Sequence, residues 1–101
     1  GLAFRDVSER CWKIPDEFLS NRYSVLIHGV GLADEYPSIK HWVDFEDAGY
    51  DGEVLPGMTL CVESFIGSEG GREGVKLEEQ VIITETGVER MSTYPFQIDW
   101  L

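Results

Sequence analysis

Three β-rich segments in the C-terminal half of the chain constrain the fold more than any other feature. Strand-forming residues dominate 58–66, they recur through 75–84, and a shorter third segment covers 88–92. A glycine-rich stretch, 67–74, joins the first two segments, and the short turn 85–87 joins the second to the third. Connections of this composition are typical of hairpins, so these segments predict a mainly antiparallel sheet.

The N-terminal half begins with a helical pattern and continues with a short strand pattern. The apolar residues of 2–14 follow helical spacing moderately well. Pro15 interrupts this spacing, and a second short turn is expected over 16–19. The β-rich segment 23–27 ends at His28 and predicts a strand.

The region after this strand is rich in turn-forming residues. Gly29 and Gly31 indicate a tight turn or a close approach of two backbones. The segment 33–57 contains further turn residues, among them Pro37 and Gly49, and it predicts a long irregular loop. The fold class expected from the whole chain is α+β, with an N-terminal helix followed by a mainly antiparallel sheet.

Composition limits the partners and the location of the protein. The 101 residues include 8 lysines and arginines against 19 aspartates and glutamates, giving a net charge of −11. Such an acidic surface repels phosphates and anionic lipids, so we expect neither a nucleic-acid nor a membrane partner. The N-terminus shows no signal-peptide pattern. Two cysteines, Cys11 and Cys61, do not make a disulfide scaffold and suit the reducing cytoplasm.

A histidine and two glutamates are the candidate metal ligands. His28 closes an apolar strand, and Glu63 and Glu78 lie within β-rich segments. A carboxylate among core residues is costly unless it is paired or metal-bound, and carboxylates with an imidazole suit a hard or borderline divalent metal. From the residues alone, solvent-facing glutamates and a hydrogen-bonded structural histidine remain the alternative.

The period of a β-strand determines which neighbours each glutamate has. Cys61 shares a face with Glu63, while Lys76 and Gln80 share a face with Glu78. The two carboxylates converge if these faces lie on the same side of one sheet.

Three motifs, in the same order, resemble the C-terminal half of the pita-bread metallohydrolases: HGVGLADEYP, DGEVLPGMTLCVES and EGVKLEEQVIITETGVERMS. That family includes methionine aminopeptidases, aminopeptidase P, prolidase and creatinase. The resemblance implies metal binding by His28, Glu63 and Glu78, together with an aspartate pair that the family carries upstream. Residues 1–101 are therefore expected to be the C-terminal part of a single pita-bread catalytic domain whose upstream part is absent.

One departure separates the chain from the proline-specific peptidases of this family. They continue HGxGLxxHE, and Glu35 occupies the position of their second histidine, which assists proton transfer. The motif HGVGLADEYPSI is instead similar to dimethylsulfoniopropionate lyases of the DddP type, which are iron-binding homodimers and release acrylate and dimethyl sulfide. This similarity implies that Asp34 is the catalytic base and that Tyr23 assists in the pocket. It also implies a small-molecule substrate and a homodimer.

Several alternatives stay open at this point. The metal is expected to be divalent or trivalent, with iron favoured over manganese, cobalt and zinc. A cationic sulfonium would suit aromatic neighbours, for which Trp42, Phe45 and Tyr50 are candidates. A peptidase acting on Xaa-Pro bonds and a metal-free binding module with the same fold are the rival functions.

Overall fold

A computed structural model describes residues 1–100 of the chain. Three short helices and a five-stranded sheet make up most of this part. The elements in chain order are α1 (Phe4–Arg10), α2 (Asp16–Leu19), β1 (Ile27–Val30), β2 (Asp34–Ile39), α3 (Phe45–Ala48), β3 (Thr59–Gly67), β4 (Gly74–Ile83), β5 (Val88–Arg90) and a 3-10 turn (Ile98–Trp100). Within residues 1–100, no helix is long and apolar enough to cross a membrane.

The strands form one antiparallel sheet in the order β2-β1-β3-β4-β5. The long β3–β4 hairpin pairs from Thr59 opposite Ile82 to Gly67 opposite Gly74. The predicted α+β class is confirmed, as are the N-terminal helix and the mainly antiparallel sheet. The predicted hairpin segments agree with β3, β4 and β5 to within one or two residues.

Two predictions in the N-terminal half are wrong. The strand expected over 23–27 begins only at Ile27 and continues to Val30, and the expected loop 33–57 contains both β2 and α3. β2 was missed because its sequence, DEYPSI, is polar and includes a proline. Such residues are tolerated in an edge strand, which pairs with only one neighbour and leaves its other backbone edge free.

The predicted close approach of backbones occurs where β1 meets β2. The pairing register shifts between His28 and Gly29, which marks a bulge. A Cβ atom at Gly29 would lie 2.0 Å from the Tyr36 carbonyl oxygen, so only glycine fits there. This bulge fixes how the site-bearing strand β1 turns into β2.

The two faces of the sheet have opposite chemistry. Helix α1 packs on the apolar face through Phe4, and the buried core cluster is Phe4, Leu26, Ile27, Ile39, Phe45, Leu60 and Val81. The alternation of side chains along β1 and β3 then places His28, Cys61 and Glu63 on the other face. The candidate site therefore lies on the side of the sheet away from α1.

Candidate active site

The register of the central strands brings the candidate ligands to one face. His28 on β1 lies opposite Cys61 on β3, and Glu63 on β3 lies opposite Glu78 on β4. Side chains at directly opposed positions project to the same side of a sheet. The condition for convergence of the two carboxylates is therefore met in the structure.

The hydrogen bond of His28 fixes the form of its ring. The Nδ1 atom lies 2.8 Å from the Gly29 carbonyl oxygen. A carbonyl only accepts, so Nδ1 carries a hydrogen, and in the neutral ring the lone pair is on Nε2. Nε2 lies 3.7 Å from Glu63 Oε1. Metal-binding imidazoles adopt the same arrangement, in which one ring nitrogen donates to a carbonyl and the other is left for the metal.

Glu63 is a buried carboxylate with one unsatisfied oxygen. The residue is only 4% exposed. Its Oε1 lies 3.0 Å from Lys76 Nζ, while Oε2 has no hydrogen-bond partner within the described chain. Burial raises the pKa of this carboxyl, and the neighbouring Glu78 raises it further. A buried oxygen without a donor is costly, and a bound cation would satisfy it.

Glu78 completes the set of predicted ligands from the neighbouring strand. Its Oε1 lies 2.6 Å from Lys76 Nζ. Contact with the Glu63 carboxyl lowers its pKa first, and the Lys76 ammonium lowers it next. The pKa values of the two carboxyls are thus shifted in opposite directions, upward for Glu63 and downward for Glu78.

Strand period predicts that Cys61 shares a face with Glu63, and the structure places its thiol beside the candidate ligands. The donor atoms of His28, Cys61 and Glu63 all lie within 4.8 Å of one another. Burial raises the pKa of the Cys61 thiol to about 11, so the thiol stays protonated near neutral pH. Its place opposite His28 could be found only once the strand pairing was known.

The two residues assigned to catalysis line a cleft beside the ligands. This cleft has a volume of about 440 Å³, and His28, Asp34 and Tyr23 contribute to its wall. The Asp34 side chain is 78% exposed, and its Oδ1 lies 3.7 Å from His28 Nδ1. A carboxylate with this exposure is free to meet a proton on a bound molecule. Tyr23 instead turns its ring face toward Lys76 Nζ, 4.2 Å from the ring centroid.

The aromatic wall of the cleft differs from the one predicted. Of the three candidates, Tyr50 lines the cleft, Phe45 is buried in the core, and Trp42 packs against Lys13. Tyr36, which the sequence did not single out, lines the cleft and stacks on Tyr50 at 6.0 Å. Tyr36 was missed because β2 was taken for a loop.

Glu35 lies near the start of β2 and holds the turn that joins β1 to β2. Its Oε1 accepts a hydrogen bond of 3.2 Å from the Leu32 backbone nitrogen. The carboxylate is thus engaged where the proline-specific peptidases resembled by this chain have their second histidine. Proton transfer at this position has no imidazole to carry it.

A second cavity opens on the same face, beyond Glu78. It has a volume of about 540 Å³ and extends between β3–β4 and the C-terminal tail. Cys61, Glu78 and Gln80 form one side, and Tyr94 and Phe96 form the other. The candidate ligands therefore lie between two open spaces large enough for a small molecule.

The donor set fits a divalent cation. An imidazole lone pair, a buried carboxylate oxygen without a partner and a second ionised carboxylate are ligands of the kind that hard and borderline metals prefer. The observation that carries this fit is the orphaned Oε2 of Glu63.

Comparison with known proteins relates the chain to one family and to two similar proteins. The profile of metallopeptidase family M24 matches residues 1–85. A protein named dimethylsulfoniopropionate lyase DddP from Roseovarius nubinhibens (strain ATCC BAA-591 / DSM 15170 / ISM) is 43% identical over 96 residues, which is 95% of this chain. A protein of the same name from Roseobacter denitrificans (strain ATCC 33942 / OCh 114) is 42% identical over the same length. The chain spans 22% of the length of each relative.

Proposed function

Because the chain belongs to metallopeptidase family M24, a metal-dependent family, we propose that His28, Glu63 and Glu78 are metal ligands. The support is that they share one face of the sheet, that His28 presents a free Nε2, and that Glu63 has an unsatisfied buried oxygen. Iron is the metal we favour, with manganese, cobalt and zinc as the other candidates. Bound metal would act as a Lewis acid on a substrate carboxylate.

We further propose that residues 1–101 are the C-terminal part of a pita-bread catalytic domain. An apolar groove of about 590 Å³ runs along the face opposite the site, where Leu60, Val62, Val81 and Val88 contribute to its lining. Apolar surface of this kind normally packs against other residues. The aspartate pair of the family would join the ligands from the upstream part of the domain.

The reaction we propose is cleavage of dimethylsulfoniopropionate to acrylate and dimethyl sulfide. The observation that carries it is the exposed Asp34 carboxylate in the same cleft as His28 and Tyr23. The names of the two relatives support the same reaction. The position of Glu35, held by the Leu32 nitrogen, disfavours peptide hydrolysis because the leaving amine would lack a proton donor there.

Asp34 is the proposed general base of this elimination. Its carboxylate takes the proton from the carbon next to the substrate carboxylate, and the electron pair of that C–H bond forms the new C=C bond. The C–S bond breaks, and its electrons leave with sulfur as neutral dimethyl sulfide. No acid is needed for the leaving group. The aromatic rings of Tyr36 and Tyr50 line the same cleft and would contact the sulfonium cation there.

A peptidase acting on Xaa-Pro bonds is the second candidate, because the family is one of metallopeptidases. We propose a small-molecule substrate, a homodimer and a cytoplasmic location, and no nucleic-acid or membrane partner. The two cysteines are free, as suits the cytoplasm.

Product analysis with the full-length protein separates the two candidates. Given dimethylsulfoniopropionate, it should release acrylate and dimethyl sulfide in equal amounts, and it should leave Xaa-Pro dipeptides intact. Dipeptide cleavage without acrylate would refute the lyase and leave the metal site in place.

A further inference from the structure

Lys76 is the one cation in contact with both proposed carboxylate ligands among the described residues. It precedes Glu78 by two positions on β4, so both side chains project to the site face. Its Nζ lies 3.0 Å from Glu63 Oε1 and 2.6 Å from Glu78 Oε1. The Tyr23 ring contacts the same ammonium from a third direction, at 4.2 Å.

These contacts divide the oxygens of Glu63 between two tasks. Oε1 faces Lys76, while Oε2 is buried and has no partner in the described chain. A glutamate side chain has several rotatable bonds, and holding one oxygen restricts where the other can point. Groups that hold the far oxygen of a ligand in this way orient it before the metal arrives.

Burial alone does not fix Lys76, because its side chain is 38% exposed. A lysine with this exposure would be mobile without specific partners. Two carboxylates and an aromatic face supply those partners, and the aromatic face acts through a cation–π contact. The Tyr23 ring is therefore linked to the candidate ligands through Lys76, and this link does not involve the Tyr23 hydroxyl.

We propose that Lys76 is a positioning residue that holds one oxygen of Glu63 and one of Glu78, leaving Glu63 Oε2 free for the cation, and that the Tyr23 ring holds Lys76 in place. This inference rests on the proposed metal site and extends it. A competing arrangement, in which the Lys76 ammonium occupies the place of the metal, makes the opposite prediction for metal affinity.

The experiment measures Mn²⁺ affinity of the full-length protein by electron paramagnetic resonance of the free ion. Lys76→Met should weaken binding by roughly 10- to 100-fold, as loss of an orienting partner does. Lys76→Arg keeps the charge and the ring contact, and it should recover most of the affinity. Lys76→Met leaves the buried Glu63 carboxyl without its cation, so we expect lower stability in EDTA, and unfolding followed in EDTA verifies that the variant is folded where its Mn²⁺ affinity is measured.

Arg90→Met is the matched control. Arg90 Nη2 lies 2.6 Å from Glu79 Oε2. Like Lys76→Met, this variant therefore removes a positively charged side chain that contacts a glutamate of β4. Glu79 projects to the opposite face from Glu78, and Mn²⁺ affinity should therefore stay at the wild-type value. An equal loss in both variants would assign the effect to net charge and overturn the inference.

Variants of Tyr23 test whether its ring holds Lys76 in place, without altering Lys76 itself. Tyr23→Phe keeps the ring and should bind Mn²⁺ as wild type does, whereas Tyr23→Leu should bind it several-fold more weakly. These variants also carry the test if Lys76→Met does not fold. Unchanged or tighter binding by Lys76→Met would overturn the positioning role and leave the metal site intact. Wild-type protein that does not bind Mn²⁺ would overturn both.

Discussion

His28 and His41 are both buried, at 8% and 2% exposure, but they lie in different surroundings. His28 donates to the Gly29 carbonyl and lies beside Glu63 on the central part of the sheet. His41 follows the edge strand β2, and neither of its ring nitrogens has a hydrogen-bond partner within residues 1–100. Its ring packs edge-on against Trp42 at 6.0 Å.

The comparison shows that partners, rather than burial, distinguish a site histidine from a packed one. The hydrogen bond to Gly29 gives His28 a defined tautomer and leaves a lone pair on the ligand side. Burial of His41 lowers its pKa, and the nearby Tyr23 backbone and Asp44 carboxylate oppose this only in part. Desolvation therefore favours the neutral form of the His41 ring.

The largest difference between the two histidines should appear in metal binding. His28→Ala removes the only imidazole on the site face of the described chain. We expect metal affinity to fall by more than about 100-fold, which is a larger loss than the removal of an orienting residue causes. His41→Phe should leave metal content unchanged. Elemental analysis of the two purified full-length variants checks this. Equal metal content in both would place the metal elsewhere.

Glu63 is the second point at which the site can be broken. Glu63→Gln keeps the shape of the side chain but removes the charge and should also lower metal affinity by about 100-fold or more. It should raise stability in EDTA above pH 4.5. Folding raises the pKa of Glu63, so ionisation of this buried carboxyl costs the wild-type protein stability as pH rises above 4.5. A glutamine has no proton to lose and avoids this cost.

The control for Glu63→Gln is Glu79→Gln, which changes the same side chain on the opposite face of the hairpin. Titration calorimetry with Mn²⁺ and unfolding followed at several pH values distinguish the two. If Glu63→Gln retained full metal affinity, the unsatisfied Oε2 of Glu63 would not be a metal ligand.

Asp34 differs from Glu63 in position and should differ in effect. It lies on the edge strand with an exposed side chain, so it can meet a substrate but is not held among the ligands. Asp34→Asn should slow acrylate release by about 100-fold or more, with metal content near wild type. Glu35→Gln is the matched neighbour and should have a milder effect, because a Gln oxygen still accepts from Leu32. Active Asp34→Asn protein would point to another base.

The sequence predicted the central strands of the sheet better than its edge strand. Glu63 and Glu78 were placed correctly within strands because alternation and β-forming neighbours are local signals. β2 was missed because its stability comes from pairing with β1, which its polar residues do not reveal. The same error hid Tyr36, since its place in the cleft depends on that pairing.

Contacts between distant residues were also beyond the sequence. The register that sets Cys61 opposite His28 depends on how β1 docks onto β3. The contact between Lys76 and Tyr23 joins two segments that are far apart in the chain. The shared face of Lys76 and Glu78 was readable from strand period, but the position of the ammonium between two carboxylates was not.

The smallest expected effect concerns His41 and acid stability. Below pH 6.5 the unfolded chain binds a proton on this residue that the folded chain, with its lowered pKa, does not bind. Stability is therefore lost as pH falls through 6.5, with a slope of at most about 1.4 kcal/mol per pH unit for one proton. His41→Phe should remove that slope and keep the packing against Trp42. Urea unfolding between pH 7 and pH 5 measures it, and identical slopes in wild type and variant would show that His41 protonates as readily in the folded chain.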